Sequence, residues 1–510
     1  MLKIIDNFLN KITMYRLVLY FLLLLILVAM IFGFLGILPY NPLMLLASTL
    51  AILVVCYAVN TIFAYVFDAP TNVESLYITA LILALIITPP ESFSDIQYLI
   101  FIAWAAVWAM ASKYILAIGK KHIFNPAAFA VVLTALTINQ SASWWVSTLY
   151  MTPFILIGGL LITRKIKRFD LVLTFIFFSL VATSITHANV PLELPRIIWN
   201  SFVTSPLLFF AFVMLTEPLT TPPTKHLRMG YGAIVGAIFD PMVHIGPLFS
   251  TPELALVFGN IYSYIVSPKK KLILRLKEKI KVARDTYDFS FETDEDEFAF
   301  RPGQYFEWTL AHAHPDNRGN RRYFTIASTP VEEEIRMGVK FYPEPSSFKQ
   351  ALFNLKPGGR IVASQLSGDF TLPHNKKIKL CFIAGGIGVT PFESIITHML
   401  ERKQKRDVVM FYSNRTIDDI AYKNTFDKAE SELGVRTIHV LSEEHDIPSD
   451  WSGEKGFINE TMIKNKMPDY KDRMYFISGP HGMVEAFKDT LSQMGIPKSH
   501  IKVDFFPGFV

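Results

Sequence analysis

Long apolar runs fill roughly the first 267 positions, and beyond them the pattern turns to short stretches in which charged and apolar residues alternate. A helix that crosses a bilayer needs about 20 apolar residues. Runs near 15–37, 43–66, 98–118, 150–163, 170–187 and 229–246 approach that length, and shorter ones lie near 76–88, 126–138, 203–216 and 253–266. Together they predict about ten spans. The first run is too long for a cleavable signal, has no small-residue cleavage site and is followed by further spans.

From Lys271 to about Thr371 the segments KLILRLKEKIKVA, DFSFET, QYFEWTL, RRYFTIAS, MGVKFYP and RIVASQL are set apart by turns such as Pro302-Gly303 and Pro357-Gly358-Gly359. This spacing predicts a small antiparallel barrel. The style then changes. KLCFIAGG, DVVMFYS, RTIHVLS and a last strand, RMYFISG, alternate with the helical VTPFESIITHMLERK, FDKAESEL and MVEAFKDTLSQMG, which means a parallel sheet with crossover connections. The expected architecture is a multi-pass α-helical membrane domain over 1–267, an antiparallel β-barrel over 268–372 and an α/β parallel-sheet domain over 373–510.

Composition agrees: 51% of the 510 residues are hydrophobic and only 18% charged, too apolar for an ordinary soluble protein. The cations set an orientation, because Lys and Arg in short loops stay on the cytoplasmic side. Lys3, Lys11 and Arg16 precede the first span, and Lys120 and Lys121 follow the fourth. Arg164, Lys165, Lys167 and Arg168 follow the sixth, Lys225 and Arg228 the eighth, and Lys269 to Lys271 the tenth. All fall on one side, against Arg196 alone on the other, so both termini and the soluble half are expected in the cytoplasm, with the chain multi-pass in the inner (cytoplasmic) membrane. The net charge of +5 is then a topology signal, and no nucleic-acid partner is expected. Cys56 and Cys381, both in apolar segments, supply neither a disulfide framework nor the thiolates of an iron–sulfur cluster. No metal site is read.

The first strand-to-helix turn of the parallel sheet is Ala384-Gly385-Gly386-Ile387-Gly388-Val389-Thr390-Pro391, where glycines let a phosphate approach the backbone and a helix N-terminus offers N–H donors. Alone it is as readily a tight turn. Its company is more telling: Arg322-Tyr323-Phe324-Thr325-Ile326-Ala327-Ser328 before it, then Ser478-Gly479-Pro480-His481-Gly482-Met483 and Asp504-Phe505-Phe506 after it. In this order the four motifs resemble the ferredoxin-NADP reductase family, from Lys271 to the end. The resemblance implies FAD and NAD(P)H. It gives Arg322 the flavin pyrophosphate, Thr325 a hydrogen bond near flavin N5, and Tyr323 and Phe324 places beside the flavin. Ser347, in Pro345-Ser346-Ser347-Phe348, matches the second phosphate-binding turn, and Gly385, Gly386, Gly388 and Thr390 match the nicotinamide-nucleotide pyrophosphate loop. Ser478, Gly479 and Pro480 border the nicotinamide, and Phe505 or Phe506 covers the flavin face, so Thr325, Ser478 and Phe505 are the catalytic candidates. The family usually has Tyr where Phe324 stands and often Cys where Ser478 stands. Arg415, after the second strand, pairs a ribose 2′-phosphate or is a solvated arginine, and the choice of NADH or NADPH stays open.

Three features mark the membrane half. His122-Ile123-Phe124-Asn125-Pro126-Ala127-Ala128-Phe129 opens a short run, while Ile87-Thr88-Pro89-Pro90 and Thr216-Glu217-Pro218-Leu219-Thr220-Thr221-Pro222-Pro223 close two others five spans apart. Short, proline-interrupted spans at matching places predict an inverted repeat with a site built from half-helices. HIFNPAAF and MLTEPLTTPPTKHLRMGYGA resemble the D subunit of the Rnf electron-transport complex and the B subunit of the sodium-translocating NADH:quinone oxidoreductase, over roughly residues 20–265. The resemblance implies FMN or riboflavin in the membrane domain, with Asn125 and Thr221 as binding candidates. That family attaches one FMN through a threonine, but the loop here, QSASWWVSTLYM, lacks the attachment string, and Thr148 is its nearest threonine. The flavin is therefore expected to be non-covalent. Haem is not expected, since His122, His187, His226 and His244 are not paired within helices.

These features predict a membrane-bound flavoprotein that oxidises NAD(P)H and passes electrons through FAD to membrane flavin, then to a quinone or an extracytoplasmic flavoprotein. The alternative is a transporter or channel whose reductase-like domain senses redox state.

Overall fold

The computed structural model describes residues 5–6, 8–9, 12–67, 73–92, 94–118, 121–246, 248–267, 271–293, 299–316, 319–443 and 447–504. They form two compact units, Met1–Lys270 and Lys271–Val510.

The N-terminal unit is built from α1 (Met14–Phe34), α2 (Pro42–Val66), α3 (Val73–Ile86), α4 (Ile96–Ile115), α5 (Pro126–Ile138), α6 (Thr152–Ile166), α7 (Phe169–Thr186), α8 (Leu194–Val203), α9 (Leu207–Met214), α10 (Lys225–Ala237) and α11 (Pro252–Val266). Each of the ten apolar runs carries a helix. Among the described residues only α1, α2, α4 and α7 are long and apolar enough to cross a membrane, and α8 with α9, bent by 54°, would make a fifth. The runs near 150–163 and 229–246 carry shorter helices than their length suggests: α6 has 15 residues, and α10 has 13, ending ahead of Phe239-Asp240-Pro241.

Helix starts repeat with the sequence. Asn125 caps α5 with Pro126 as the first helical residue, and Thr251 caps α11 with Pro252 in the same place, each side-chain oxygen accepting an N–H of the first turn. A two-stranded hairpin precedes each: β1 (Ala117–Ile118) with β2 (Lys121–His122), and β3 (His244–Ile245) with β4 (Leu248–Phe249). Packing repeats as well, α2 lying on α4 and α7 on α10. The second pair is close because Gly232 and Gly236 face α7, where a Cβ would lie 2.9 Å from the Leu171 carbonyl oxygen or 2.5 Å from that of Phe175.

The C-terminal unit opens with six antiparallel strands: β5 (Leu272–Ala283), β6 (Thr286–Thr293), β7 (Tyr305–Thr309), β8 (Arg321–Thr325), β9 (Ile335–Lys340) and β10 (Arg360–Ser367), in the order β8-β7-β10-β5-β6-β9. Inward residues such as Leu274, Phe289, Phe291, Phe306 and Trp308 fill this half-barrel. Helix α12 (Ser347–Asn354), between β9 and β10, sets Phe348 and Leu352 into that core.

A parallel sheet follows: β11 (Lys379–Gly385), α13 (Thr390–Glu401), β12 (Val408–Asn414), α14 (Lys423–Leu433), β13 (Arg436–Leu441), β14 (Glu454–Lys455), α15 (Glu460–Lys466), β15 (Arg473–Ser478), α16 (His481–Gln493) and β16 (Ile501–Asp504). Strand order is β14-β13-β12-β11-β15-β16, with a separate apolar core on each face. RMYFISG is therefore not the last strand. Ile501–Asp504 adds a further one beside it, too short to show a period in the sequence. The chain reverses direction across the sheet between β11's two neighbours, β12 and β15, and the crevice at their carboxyl ends is where ligands bind in such sheets.

Candidate functional site

Strand alternation sorts the β8 motif. Arg322 and Phe324 share one face, with the Arg322 guanidinium 5.3 Å from the centre of the Phe348 ring and Phe324 6.0 Å from the same ring. Tyr323 points the other way, its hydroxyl donating to buried Glu307 at 2.8 Å and its ring edge-on to Tyr305. Arg322 is 4% exposed, and its Nη1 donates to the carbonyls of Gly319 and Arg321. Its Nη2 meets both carboxylate oxygens of Asp316, at 3.1 and 3.2 Å. The N–H of Ser347, at the first turn of α12, also donates to Asp316, at 3.3 Å. A guanidinium fork and a helix N-terminus thus converge on one anion, the donor set that a flavin phosphate requires. The residues fit the pyrophosphate.

At the end of β8 the Thr325 hydroxyl donates to the Asp504 carboxylate at 2.9 Å, both groups buried. Its oxygen is left free to accept a hydrogen bond from a ligand N–H. Asp504 on β16 lies beside Ser478 on β15, and Ser478 beside Ala384 on β11. Two catalytic candidates, Thr325 and Ser478, thus meet through Asp504. Phe505 and Phe506 lie outside the described residues.

Gly385, Gly386, Gly388 and Gly479 lie together. A Cβ on Gly388 would lie 2.5 Å from the Cα of Gly479, and Gly386 has φ +51°, so the two turns pack backbone against backbone at the crevice. Pro480 borders the same place, 3.3 Å from where a Cβ on Gly385 would stand. Thr390 is buried in the first turn of α13 and donates to the Ile387 carbonyl at 2.8 Å. Arg415 is 76% exposed and pairs with Glu443 at 2.6 Å.

Sequence reading missed the charges beneath this loop. Glu393, in the first turn of α13 and 4% exposed, accepts from Thr425 at 3.3 Å and lies 3.7 Å from Arg336. Arg336 already serves Asp288 at 2.6 Å and Glu332 at 2.7 Å. With one guanidinium among three carboxylates, burial pushes the Glu393 carboxyl up to about 7 and also raises that of Asp288.

In the N-terminal unit Asn125 and Thr221 both adjoin Glu217. The Asn125 amide donates to the Glu217 carboxylate at 2.9 Å, and the Thr221 N–H donates to its carbonyl at 3.2 Å. His122 lies 3.4 Å from the carboxylate, and Thr220 donates to it at 3.3 Å. The Asn125 N–H reaches Asn260 at 2.7 Å, and Asn260 donates to the Tyr231 hydroxyl at 2.9 Å. Asn260 carried no sequence signal beyond lying in an apolar helix, and Tyr231, although inside the segment that carries the family resemblance, was not singled out. Among the described residues no group of three His, Cys, Asp or Glu side chains could hold a metal.

Comparison with known proteins bears on the C-terminal unit. Residues 273–371 match the oxidoreductase FAD-binding domain family, and residues 382–489 match the oxidoreductase NAD-binding domain family. The reductase component of the glycine betaine monooxygenase of Chromohalobacter salexigens is 28% identical over 233 residues, which is 44% of this chain and 62% of that protein. A component of the Na(+)-translocating NADH-quinone reductase of Psychrobacter cryohalolentis is 28% identical over 200 residues, 38% of this chain and 47% of that one. The chain thus spans from about half to three-fifths of the length of these relatives. Among solved structures, the Amycolatopsis cytochrome P450 reductase aligns at 25% identity with a TM-score of 0.42, over 47% of this chain and 70% of that one. The C-terminal unit accordingly carries ferredoxin reductase-type FAD-binding and NAD-binding domains, the architecture of an NAD(P)H-dependent FAD oxidoreductase.

Proposed function

We propose that this chain is a membrane-bound NAD(P)H:acceptor oxidoreductase. Its electrons leave NAD(P)H through FAD for flavin held without a covalent bond in the N-terminal unit, and pass on to a quinone or an extracytoplasmic acceptor. The observation that carries the reading is the meeting of Thr325, Asp504, Ser478 and the Gly385–Gly388 turn at one end of the parallel sheet. FAD, when bound, supplies the chemistry, taking reducing equivalents as a pair and releasing them singly. The chain's task is placement. Arg322 and the first turn of α12 would hold the flavin phosphates, and Phe324 would stand beside the ring system. Thr325, its hydroxyl hydrogen held by Asp504, would stand at the flavin edge, able to accept from the N–H that the reduced flavin presents there. The glycine turn and Ser478-Gly479-Pro480 bring the nicotinamide to that edge and keep water out.

For the N-terminal unit, the reading is ten spans in an inverted repeat, with both termini and the reductase domains in the cytoplasm and a flavin beside Asn125 and Thr221. Three things support it: cations on alternate loops, proline-led helices behind matching hairpins, and a part-buried Glu217–His122–Asn125 cluster. The test uses sealed liposomes with the reductase domains outward. External NAD(P)H, too charged to permeate, should reduce an impermeant acceptor trapped inside. Rapid oxidation with an outside acceptor, the trapped one staying oxidised in intact vesicles, would mean reduction at one face. Absence of turnover with any acceptor would leave a redox sensor as the better reading.

A further inference from the structure

The donors assigned to the flavin pyrophosphate already hold an anion of the chain's own. Asp316, on the connection from β7 to β8, gives its carboxylate to Arg322 Nη2 and to the Ser347 N–H. Its own N–H donates to Ser347 Oγ at 2.9 Å. That hydroxyl also lies 3.0 Å from His312 Nε2, while His312 Nδ1 lies 2.8 Å from the Leu310 carbonyl. An Nδ1–H tautomer satisfies the whole set: His312 donates to the carbonyl, the serine hydroxyl donates to His312, and the serine oxygen accepts from Asp316. Asp316 is therefore docked at two points, by its carboxylate and by its backbone. Its side chain is 27% exposed beside a guanidinium that is 4% exposed, so the anion has a way out and the cation does not.

We propose that Asp316 is an internal competitor for the flavin pyrophosphate, occupying the Arg322 fork and the α12 N-terminus until FAD displaces it. The inference rests on the reading of Arg322 as the phosphate clamp. The donors can satisfy only one anion at a time, since both need the same guanidinium nitrogen and the same N–H. A carboxylate tethered six residues from its arginine acts at high effective concentration. Its release leaves Arg322 bonded to the Gly319 and Arg321 carbonyls, which keep the fork aimed. Asp316 thus sets how tightly FAD is held without touching the reacting atoms. Apparent affinity falls by the fraction of time a site is open, so an ion pair closed about nine parts in ten weakens FAD binding about tenfold. The opposite role, a residue that orients Arg322 for FAD, predicts the opposite sign.

The test is FAD titration of the full-length protein, stripped of flavin and followed by flavin fluorescence, with a melting curve to check folding. Asp316→Asn and Asp316→Ala should each tighten FAD binding about tenfold. In an Arg322→Ala background, Asp316→Asn should tighten binding much less, since only the competition for the Ser347 N–H remains. Unchanged or weaker binding in both Asp316 variants, with Arg322→Ala still weakening FAD, overturns the competitor and leaves the clamp standing. FAD affinity indifferent to Arg322→Ala overturns both.

Discussion

Replacing Glu393 by Gln removes a titrating proton from beneath the glycine turn while keeping the side chain's shape. Glu393 is faced by Arg336 and Asp288 from the half-barrel, by Glu332 from the turn before β9, by Thr425 on α14 and by Tyr422 just ahead of that helix; its Oε2 has no hydrogen-bond partner. Burial holds its carboxyl at about 7, against 4.5 ordinarily. The folded unit therefore keeps a proton that the unfolded chain gives up above about pH 4.5. The stability linked to this group is full below that pH, declines as pH rises towards about 7, and is lost above it. The full loss is about 3 kcal/mol, at 1.36 kcal/mol for each unit of pKa. Glutamine cannot ionise, so Glu393→Gln should come within about 1 kcal/mol of the parent near pH 5 and exceed it by the full amount at pH 8. At about 2–4 °C per kcal/mol for a unit of this size, the gain at pH 8 is about 6–12 °C. Melting of the full-length protein, followed by release of flavin fluorescence at both pH values, measures it. Carboxyls remote from Glu393 titrate alike in both proteins and drop out of the difference, whereas Asp288 and Glu332, which share Arg336 with it, are coupled to its charge. A gap that stays constant with pH, or one larger at pH 5, would refute the argument.

Gly388→Ala should raise the KM for NAD(P)H at least tenfold with FAD retained, since a Cβ there would stand 2.5 Å from the Gly479 Cα and push the two turns apart; steady-state kinetics and flavin content check it. Denatured full-length protein run on a gel should show no fluorescent flavin band, because the loop at Thr148 lacks an attachment string; a band that disappears in Thr148→Ala would contradict this. Asn125→Leu, which removes one donor from the Glu217 carboxylate and the side-chain cap of α5, should lower the FMN or riboflavin released by acid while leaving FAD content unchanged; chromatography of the released flavins decides it.

What the sequence made legible divides by the range of the contact. The half-barrel strands alternate in and out because one face is buried, and this period of two is written locally in segments such as DFSFET and QYFEWTL. The glycine turn was legible for the same reason: Gly385, Gly386 and Gly388 answer constraints of the backbone around them. The apolar runs also located every named helix of the N-terminal unit except α8, but not the lengths, which depend on where a turn or a bend interrupts a helix, as between α8 and α9. Contacts between distant residues were another matter. Glu217 reads as a peripheral acid beside a proline, yet it is bound by Asn125 from 92 positions away. Thr325 finds Asp504 at a separation of 179, and Glu393 meets Arg336 only because α13 packs on β9. Asp316 is the sharpest case. In a connection reading AHAHPDN it looks like any polar turn residue, and only the fold sets its carboxylate between a guanidinium and a helix N-terminus. Side chains that meet a bound cofactor leave motifs, because cofactor geometry fixes their spacing; a side chain that competes with the cofactor needs only to reach, and leaves none.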